Sequence, residues 1–419
     1  MTESGLQILA AIVFAIALLH TFSAPIFLRL AHRSKRHGGL LHLLGEVEVV
    51  FGFWAAILLI LMALAASGST ALAYAESRNY TEPAFVFVVM VIAASLPVLT
   101  VVMRLVERVA RVLPVQDQTA KAWLCLALVP LAGSLVTEPA AMTIAAMMLA
   151  PQVFHRDMPE RLKYLALGVL FVNISIGGTL TSYAAPPVLM VASTWGWDSA
   201  FMFTTFGWKA ALAVLVNATL VTLLLRPYLR SGDVLSARKA AAPMSPVVIA
   251  VHLFFLAAVV FAAHHPIIFL ALFLFFIGYT QAYKASQSPL IIKEALLVGF
   301  FLAGLVVLGG MQQWWLQPIV SGLEPNVLFV GALALTAITD NAALTYLGSL
   351  IDGISGQAQY MLVAGAVAGG GLTVIANAPN PAGVALLRGA FANGAVSMLG
   401  LLSGALVPTA IAAAFLFFL

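Results

Sequence analysis

The chain has 419 residues, of which 62% are hydrophobic and only 9% are charged, and its formal net charge is +4. Its mean hydropathy is +1.05, so it lacks the polar residues that a water-soluble domain needs to cover its surface. The composition excludes a soluble globular protein and indicates a multi-span helical membrane protein. The single cysteine, Cys125, excludes an intrachain disulfide.

The apolar tracts form two sets of six, separated by a polar linker. They lie at about 6–28, 40–66, 84–103, 121–154, 164–194 and 201–225, and then at about 247–263, 266–283, 290–311, 325–351, 358–387 and 391–418. The first tract is longer than the core of a signal peptide, so we predict a retained first span. The pattern predicts two repeats, at 1–226 and 247–419, joined by a linker at 227–246.

One tract in each half has an unusual length. A membrane helix needs about 20 residues, so the tracts at 121–154 and 325–351 are too long for one helix and too short for two helices with a turn. Two half-length helices that meet at a polar tip fit this length. We therefore predict a re-entrant hairpin in each half, with its irregular backbone enclosed by protein.

A short motif lies at both predicted hairpin tips. Thr137-Glu138-Pro139-Ala140-Ala141-Met142-Thr143 in the first half matches Thr339-Asp340-Asn341-Ala342-Ala343-Leu344-Thr345 in the second. Both copies keep the two threonines, an acid at the second place and the Ala-Ala pair. This repetition indicates an internal duplication.

A glycine- and proline-rich motif follows each tip, at 177–187 and at 370–381. Glycines allow close backbone approach and prolines stop a helix, which predicts broken helices at about 164–194 and 358–387. A lone glycine pair would suit ordinary helix packing, but here the pattern occurs twice in register. Interrupted helices at matching places in inverted repeats are typical of secondary transporters, whose sites lie near the membrane midplane.

The positions of the basic residues predict the topology. With both hairpins re-entrant, the chain crosses the membrane about ten times, and nearly all loop lysines and arginines share one side, the opposite loops carrying only Arg78. The positive-inside rule makes the basic side and the linker cytoplasmic and puts both termini outside. Five crossings per half is an odd number, so the repeats are inverted. The predicted fold is an all-α polytopic membrane protein with two inverted repeats, about ten crossings, two re-entrant hairpins and two broken helices.

Four acids are candidates for ion or proton coupling. Glu138 and Asp340 lie at the predicted tips, where a carboxylate at membrane depth is costly and functional by default. A proton and a cation would compete for such a carboxylate, which is all that exchange requires; pairing with a neighbouring amide or cation for packing is the alternative for either acid alone. Glu46 and Glu48 begin the second tract and fit either a proton pathway or an ion pair with a preceding basic residue (Arg33, Lys35 or Arg36).

Hydroxyl, amide and backbone groups near the tips and breaks are the candidate ligands for an ion or substrate. These residues are Thr137, Thr143, Asn173, Gly178, Thr181, Thr339, Asn341, Thr345, Gly370, Thr373 and Asn377. For Asn173, a hydrogen bond between helices is an equal alternative. Asp340 is followed by Asn341, which adds an amide oxygen, whereas Glu138 is followed by Pro139, which has no N–H. We therefore expect the second tip to be the better cation site and the first to carry the proton.

The repeated tip and break motifs resemble the ion-transporter superfamily, which includes arsenite permease-like, dicarboxylate/sodium and sodium/proton antiporter branches. Together with the Gly45-Glu46-Val47-Glu48-Val49-Val50-Phe51-Gly52 segment, they look like the putative sodium/proton antiporter family of bacteria, over nearly the whole chain. Carboxylate-transporting branches resemble this chain less, because their tips carry a Ser-Asn-Thr type motif. The resemblance implies a scaffold and a transport domain, a homodimer and elevator-like movement.

These observations predict a cation/proton antiporter of the bacterial inner membrane. Its expected partners are Na⁺, H⁺ and the lipid bilayer, with no nucleic acid, no cofactor and no metal beyond the transported cation. Neither a His-Glu-x-x-His motif nor a Gly-x-Ser-x-Gly motif occurs, so we do not expect an enzyme. The alternative is a proton- or cation-coupled carrier of organic anions or oxyanions such as arsenite, in which half-helix N-termini hold the anion.

Overall fold

The computed structural model describes residues 2–34, 36–230 and 244–419. That part of the chain is built from α-helices with short 3-10 and π segments and contains no β-strand, which confirms the predicted all-α class. Most of the predicted linker, residues 231–243, lies outside the described residues, as does Lys35.

Thirteen helices are described in the first half of the chain. They are α1 (Glu3–Arg33), α2 (Gly38–Leu44), α3 (Val47–Ala65), α4 (Gly68–Glu76), α5 (Thr81–Ala93), α6 (Leu96–Val112), α7 (Asp117–Leu126), α8 (Leu128–Val136), α9 (Glu138–Leu149), α10 (Glu160–Gly177), α11 (Pro186–Trp195), α12 (Ser199–Met202) and α13 (Trp208–Leu225). A π-helix at Phe203–Gly207 joins α12 to α13 without a break.

Nine helices are described in the second half. They are α14 (Pro246–Phe261), α15 (Pro266–Ala282), α16 (Ile292–Gly309), α17 (Gln313–Val320), α18 (Pro325–Thr336), α19 (Asn341–Ser349), α20 (Gly356–Gly369), α21 (Asn380–Leu387) and α22 (Met398–Phe418). Proline stands within the first two positions of several of them, including α14, α15 and α18. Proline suits that position because its missing N–H has no partner in the first turn of a helix.

Six helical stretches of the described residues are long and apolar enough to cross a membrane. They are Glu3–Ala24, Glu48–Ala65, Glu160–Leu180, Ser199–Tyr228, Ile292–Gly309 and Met398–Phe418. The number rises to 8 if α5 with α6, and α7 with α8, each count as one bent span. A multi-pass membrane protein is therefore confirmed, while the ten crossings and the inverted orientation stay predictions. Shorter apolar helices, among them α9 and α18, fall below the length required.

The first compact unit combines parts of both halves of the chain: Met1–Phe87, Ile292–Leu323 and Tyr346–Ser355. Its helices α3 and α16 pack along one another, and a Cβ atom on Gly304 would overlap the backbone of Gly52. Small residues at such crossings let membrane helices approach closely. Close packing of α3 on α16 is thus a main contact of this unit.

The second compact unit comprises Val88–Ile291, Glu324–Thr345 and Gly356–Leu419. Helix α10 lies at its centre, with 83% of its apolar window buried, and packs on α8, α13, α20 and α22. A Cβ atom on Gly168 would lie 2.5 Å from the carbonyl carbon of Gly404 on α22, so glycine permits this crossing. Helix α10 ends at Gly177, where the first predicted helix break begins. This break therefore lies inside the second compact unit.

The predicted breaks correspond to interruptions of the helices. After α10, a 3-10 turn covers Gly178–Leu180 and the chain becomes extended at Thr181 before two prolines open α11. In the second half, α20 ends at Gly369 and α21 begins at Asn380. Glycine and proline end regular helices for opposite reasons, one through backbone freedom and the other through a missing N–H.

The two predicted hairpin tracts differ from one another. In the first, α8 and α9 pack against each other and are joined by a single residue, Thr137. In the second, α18 packs mainly along α20 rather than on α19. The first tract also has a bend of 42° between α7 and α8, because Pro130 has no N–H to donate to the carbonyl of Leu126.

Candidate functional site

The link between α8 and α9 is one residue in an uncommon conformation. Thr137 has φ 74° and ψ 152°, and it is the only non-glycine residue with positive φ in the described part of the chain. Such a conformation costs about 1–3 kcal/mol and is found mostly at functional sites. Thr137 is 2% exposed and its Oγ1 is buried without a hydrogen-bond partner. The turn thus places one unpaired oxygen directly before Glu138.

Glu138 is fully buried, at the first residue of α9. Its Oε2 accepts a hydrogen bond of 2.7 Å from Nδ2 of Asn377, a residue of the second helix break. Its Oε1 is buried and accepts no hydrogen bond from the described residues. The first tip and the second break, 239 residues apart in sequence, therefore meet at one carboxylate.

Gly178 provides the space for this carboxylate. A Cβ atom at Gly178 would lie 2.5 Å from Oε1 of Glu138 and 2.8 Å from its Cγ. The first glycine pair thus brings backbone to the acid, as the sequence predicted for a close approach. The unpaired oxygen of Glu138 faces this break.

Gly178→Ala is expected to lower the rate of the predicted cation/proton exchange by about tenfold or more, because overpacking of about 1–3 kcal/mol must push the Glu138 carboxylate aside. Gly331→Ala is the matched control, since a Cβ at Gly331 meets nothing within 4 Å. Initial rates of cation-driven proton movement in vesicles, together with the melting temperature of each variant, check this. Unchanged rates in Gly178→Ala would show that the space beside Glu138 is not needed.

Asp340 occupies a different setting at the second tip. It is half-buried, and its Oδ1 accepts hydrogen bonds from the backbone N–H groups of Ala342 at 2.8 Å and Ala343 at 3.3 Å. These donors belong to the first turn of α19, whose N-terminus favours negative charge. Glu138 and Asp340 are also close enough to interact electrostatically. The negative charge of Asp340 is thus stabilised by backbone, whereas that of Glu138 is enclosed.

Asn341 connects the second tip to both breaks. Its backbone N–H donates to the carbonyl of Ala376 at 3.1 Å, next to Asn377. Its Nδ2 lies 3.5 Å from Oγ of Ser175 on α10, and a Cβ on Gly370 would overlap that hydroxyl. The Oδ1 of Asn341 is buried without a partner among the described residues. These contacts hold Asn341 next to Asn377, the residue that donates to Glu138.

Hydroxyl groups hold each break to the helix before its tip. Oγ of Ser134 on α8 donates to the carbonyl of Gly177 at 2.7 Å, and Oγ1 of Thr181 donates to the carbonyl of Ser134 at 2.7 Å. In the second half, Oγ1 of Thr373 donates to the carbonyl of Ala337 at 2.9 Å. The hydroxyl protons of Thr181 and Thr373 are thus donated in hydrogen bonds that hold the two breaks in place.

Asn173 has all its hydrogen bonds within helix packing. Its Nδ2 donates to the carbonyl of Leu126 at 2.7 Å, the carbonyl left free by Pro130, and its Oδ1 accepts from Nδ2 of Asn217 at 3.0 Å. Of the two predicted alternatives, the contacts correspond to the helix–helix hydrogen bond. The amide stabilises the bend between α7 and α8.

Of three other predicted ligands, Thr143 and Thr345 lie on helices beside the tips, and Thr339 lies between α18 and α19. Thr143 donates to the carbonyl of Pro139 at 2.9 Å, and Thr345, fully buried, donates to that of Ala342 at 3.2 Å. Thr339 is half-buried before Asp340. Threonine hydroxyls that bond back to their own helix retain lone pairs as acceptors.

Glu46 and Glu48 lie in the first compact unit, whereas Glu138 and Asp340 lie in the second. Oε1 of Glu46 is 3.5 Å from Nζ of Lys293 and 3.5 Å from Nδ1 of His42. Among the described residues, Glu46 thus pairs with Lys293 on α16 and forms no ion pair with Arg33 or Arg36. The third predicted partner, Lys35, lies outside the described residues. Pairing across 247 positions of sequence depends on the packing of α3 on α16 and leaves no local signal.

Three residues of the site were missed as candidates. Ser134 and Ser175 lie on apolar helices, where a lone serine gives no pattern, and their contacts depend on which helix packs opposite. Asn380 is different: it stands inside the second motif, and its Nδ2 donates to the carbonyls of Gly370 at 2.8 Å and Thr373 at 2.9 Å. Its place between two prolines was the signal that could have identified it.

The site therefore gathers buried oxygen atoms that lack a donor among the described residues. They are Thr137 Oγ1, Glu138 Oε1, Asn341 Oδ1, Asn377 Oδ1 and Asn380 Oδ1. Buried acceptors without donors are costly, and a hard cation or a proton is what such oxygens bind. The arrangement is suited to cations at its acceptors, with one buried carboxylate and one backbone-capped carboxylate.

Comparison with known proteins agrees with this chemistry. A family model described as "Putative Na+/H+ antiporter" matches residues 5–419. No curated protein matches the chain. Because the match covers nearly all of a multi-pass helical membrane protein, it confirms the family predicted from the tip and break motifs. The chain belongs to the Na⁺/H⁺ antiporter family that this model defines.

Proposed function

We propose that the protein exchanges a monovalent cation, with Na⁺ as the expected ion, for H⁺ at Glu138 and Asp340. The observation that carries the proposal is the state of Glu138: it is fully buried, Asn377 bonds one of its oxygens, and the other has no partner among the described residues. Membership of the Na⁺/H⁺ antiporter family supports the same activity.

Enclosure of Glu138 is the basis of the exchange. A buried carboxylate is strongly disfavoured unless it is protonated or paired with a positive charge. Asn377 is neutral and supplies one hydrogen bond, so it leaves the charge of Glu138 uncompensated. A proton or a cation can each supply that compensation, but not both at once at the same oxygen. Binding of one therefore favours release of the other.

The two acids divide the work in this proposal. Glu138 takes up and releases the proton, because no charged donor bonds its carboxylate among the described residues. Asp340 contributes to the cation site, because two backbone N–H groups stabilise its negative charge and Asn341 adds a buried amide oxygen. Thr137 and Asn377 supply further oxygens beside Glu138.

Sequence differences between the matching motifs of the two halves support these different roles for Glu138 and Asp340. When the glycine motifs are aligned, Ala185 stands where the second half has Asn377; when the tip motifs are aligned, Pro139 stands where it has Asn341. The carboxylate of Glu138 therefore comes from the first half of the chain, and its amide partner Asn377 comes from the second. Within the proposal, neither repeat forms the site alone.

A screen of cations in everted vesicles tests the function. With a preset pH gradient, we expect addition of Na⁺ or Li⁺ to dissipate the gradient, followed by the fluorescence of a pH-sensitive dye. Vesicles without the protein and vesicles with a Glu138→Gln variant are the controls. A response to arsenite or organic carboxylates, with none to monovalent cations, would instead establish the anion carrier that the sequence left as the alternative.

A further inference from the structure

A cavity whose lining includes none of the four candidate acids lies in the second compact unit. Its volume is about 520 Å³, and it is formed by the end of α11, the α12 and π-helix segment, the first turn of α13 and the start of α20. Its walls include Trp195, Trp197, Phe201, Thr205, Lys209 and Tyr360. A cavity of this size matches the lower range of small-molecule sites.

Aromatic rings form most of the wall. The ring centroids of Trp195 and Trp197 are 5.0 Å apart, and those of Trp197 and Phe201 are 4.9 Å apart. Tyr360 packs on Phe206 with centroids 4.6 Å apart. Tryptophan and tyrosine present an apolar face together with a polar N–H or O–H, which is why they are enriched where a membrane meets water.

Lys209 gives the cavity a positive charge. Its Nζ donates to the Tyr360 hydroxyl at 2.9 Å and lies 4.4 Å from the centre of the Tyr360 ring. No carboxylate of the described residues forms an ion pair with it. Asp198 is near in sequence, but its Oδ1 caps α12 by accepting from the N–H of Phe201 at 2.7 Å. The charge of Lys209 therefore repels a cation and favours an anion.

The face of the helix beside this charge is apolar and exposed. Phe203, Trp208 and Leu212 are 57%, 42% and 40% exposed, and they flank Lys209 within the apolar stretch Ser199–Tyr228 of 30 residues. A helix of that length spans about 45 Å, more than the roughly 30 Å of the hydrocarbon core. Its ends therefore reach the lipid headgroups, and the cavity lies towards one of those ends.

We propose that this cavity binds the headgroup of an anionic phospholipid, with the phosphate at Lys209. Thr205 and Tyr360 line the same space, while the Tyr360 hydroxyl donates to the carbonyl of Leu416 at 2.6 Å. The acyl chains extend over the exposed side chains of Phe203, Trp208 and Leu212. The apolar face distinguishes a lipid from a water-soluble anion, since only a lipid gains from covering it. Charge complementarity distinguishes an anionic lipid from a zwitterionic one.

Native mass spectrometry of the purified full chain tests the site. The protein is titrated with dioleoyl phosphatidylglycerol and, separately, with dioleoyl phosphatidylcholine. We expect preferential binding of phosphatidylglycerol, weakened about fivefold in Lys209→Met and retained in Lys209→Arg. Lys284→Met is the matched control, because Lys284 is exposed and lies on a 3-10 turn away from the cavity lining. Equal affinities for phosphatidylglycerol in Lys209→Met and the wild type would overturn the proposal.

Two further measurements keep the test decisive if Lys209→Met does not fold. Brominated phosphatidylglycerol is expected to quench the tryptophan fluorescence of the wild type more than brominated phosphatidylcholine does, and Trp195→Phe is expected to reduce that difference. An unchanged difference in Trp195→Phe would place the lipid elsewhere. Glycerol 1-phosphate serves as a soluble competitor: displacement of the lipid by an equal concentration of this anion would assign the site to a free phosphate instead, whereas displacement only by a large excess, or none, supports the lipid.

Discussion

Glu138→Gln is expected to stop proton coupling while leaving cation binding measurable. Glutamine keeps the shape of the side chain and an oxygen that accepts from Asn377. It can neither take up nor release a proton at the pH of a transport assay. Because each proton-linked cycle depends on that step, we expect the rate of proton-coupled exchange to fall by about 100-fold or more. This corresponds to a rise of roughly 3 kcal/mol in the activation free energy. Isotope exchange of ²²Na⁺ and proton flux, measured in the same proteoliposomes, separate the two activities.

The pH dependence of cation binding makes the same test without transport. In the wild type, lowering the pH should weaken cation binding, because protons compete for the carboxylate of Glu138. In Glu138→Gln, calorimetry in nanodiscs should show a weaker dependence on pH. Glu324→Gln is the control, since Glu324 is exposed at the start of α18. Loss of cation binding in Glu138→Gln at every pH would assign the cation, and not the proton, to this acid.

Asp340→Asn is expected to remove the dependence of transport on the cation. The change deletes a negative charge from the cation site, and we expect the cation affinity to fall by about 100-fold, as for loss of roughly 3 kcal/mol. The fold should tolerate the change, because asparagine caps a helix about as well as aspartate and the backbone donors Ala342 and Ala343 keep an acceptor oxygen. Binding calorimetry with Na⁺ and Li⁺ measures the loss directly.

Asp198→Asn is a control for Asp340→Asn. Asp198 also caps a helix, through its Oδ1 and the N–H of Phe201, and it is exposed. Normal transport in Asp198→Asn would show that losing a capping charge is harmless in itself. If Asp340→Asn spares cation binding, the division of roles between the two acids is reversed. If neither Asp340→Asn nor Glu138→Gln affects transport, both acids are structural and the proposed exchange site is wrong.

The matching positions of the two tip motifs have unequal surroundings, and this accounts for the different outcomes that we expect. Glu138 is enclosed and bonded by an amide, whereas Asp340 is half-buried and capped by backbone. The sequence indicated the asymmetry through Pro139 and Asn341. The contacts add an amide partner, Asn377, to the first acid, a pairing that the sequence did not predict.

The sequence by itself determined the class of the protein and the position of its irregular segments. Hydrophobic tracts, the paired tip motifs and the glycine–proline breaks are local signals: hydropathy sets membrane insertion, and Gly178 or Pro186 alters the backbone wherever it stands. The interruptions at Thr137 and after Gly177 follow those signals closely. The family followed from the same motifs.

Only the tertiary structure decided which groups meet. The contact of Asn377 with Glu138, the pairing of Lys293 with Glu46 and the use of Asn173 at the carbonyl of Leu126 all join residues far apart in sequence. A buried amide or carboxylate must find a partner, but its identity depends on which helix faces it after packing. Hydrophobic helices in a membrane carry little pattern that specifies their neighbours, since lipid and protein are almost equally apolar.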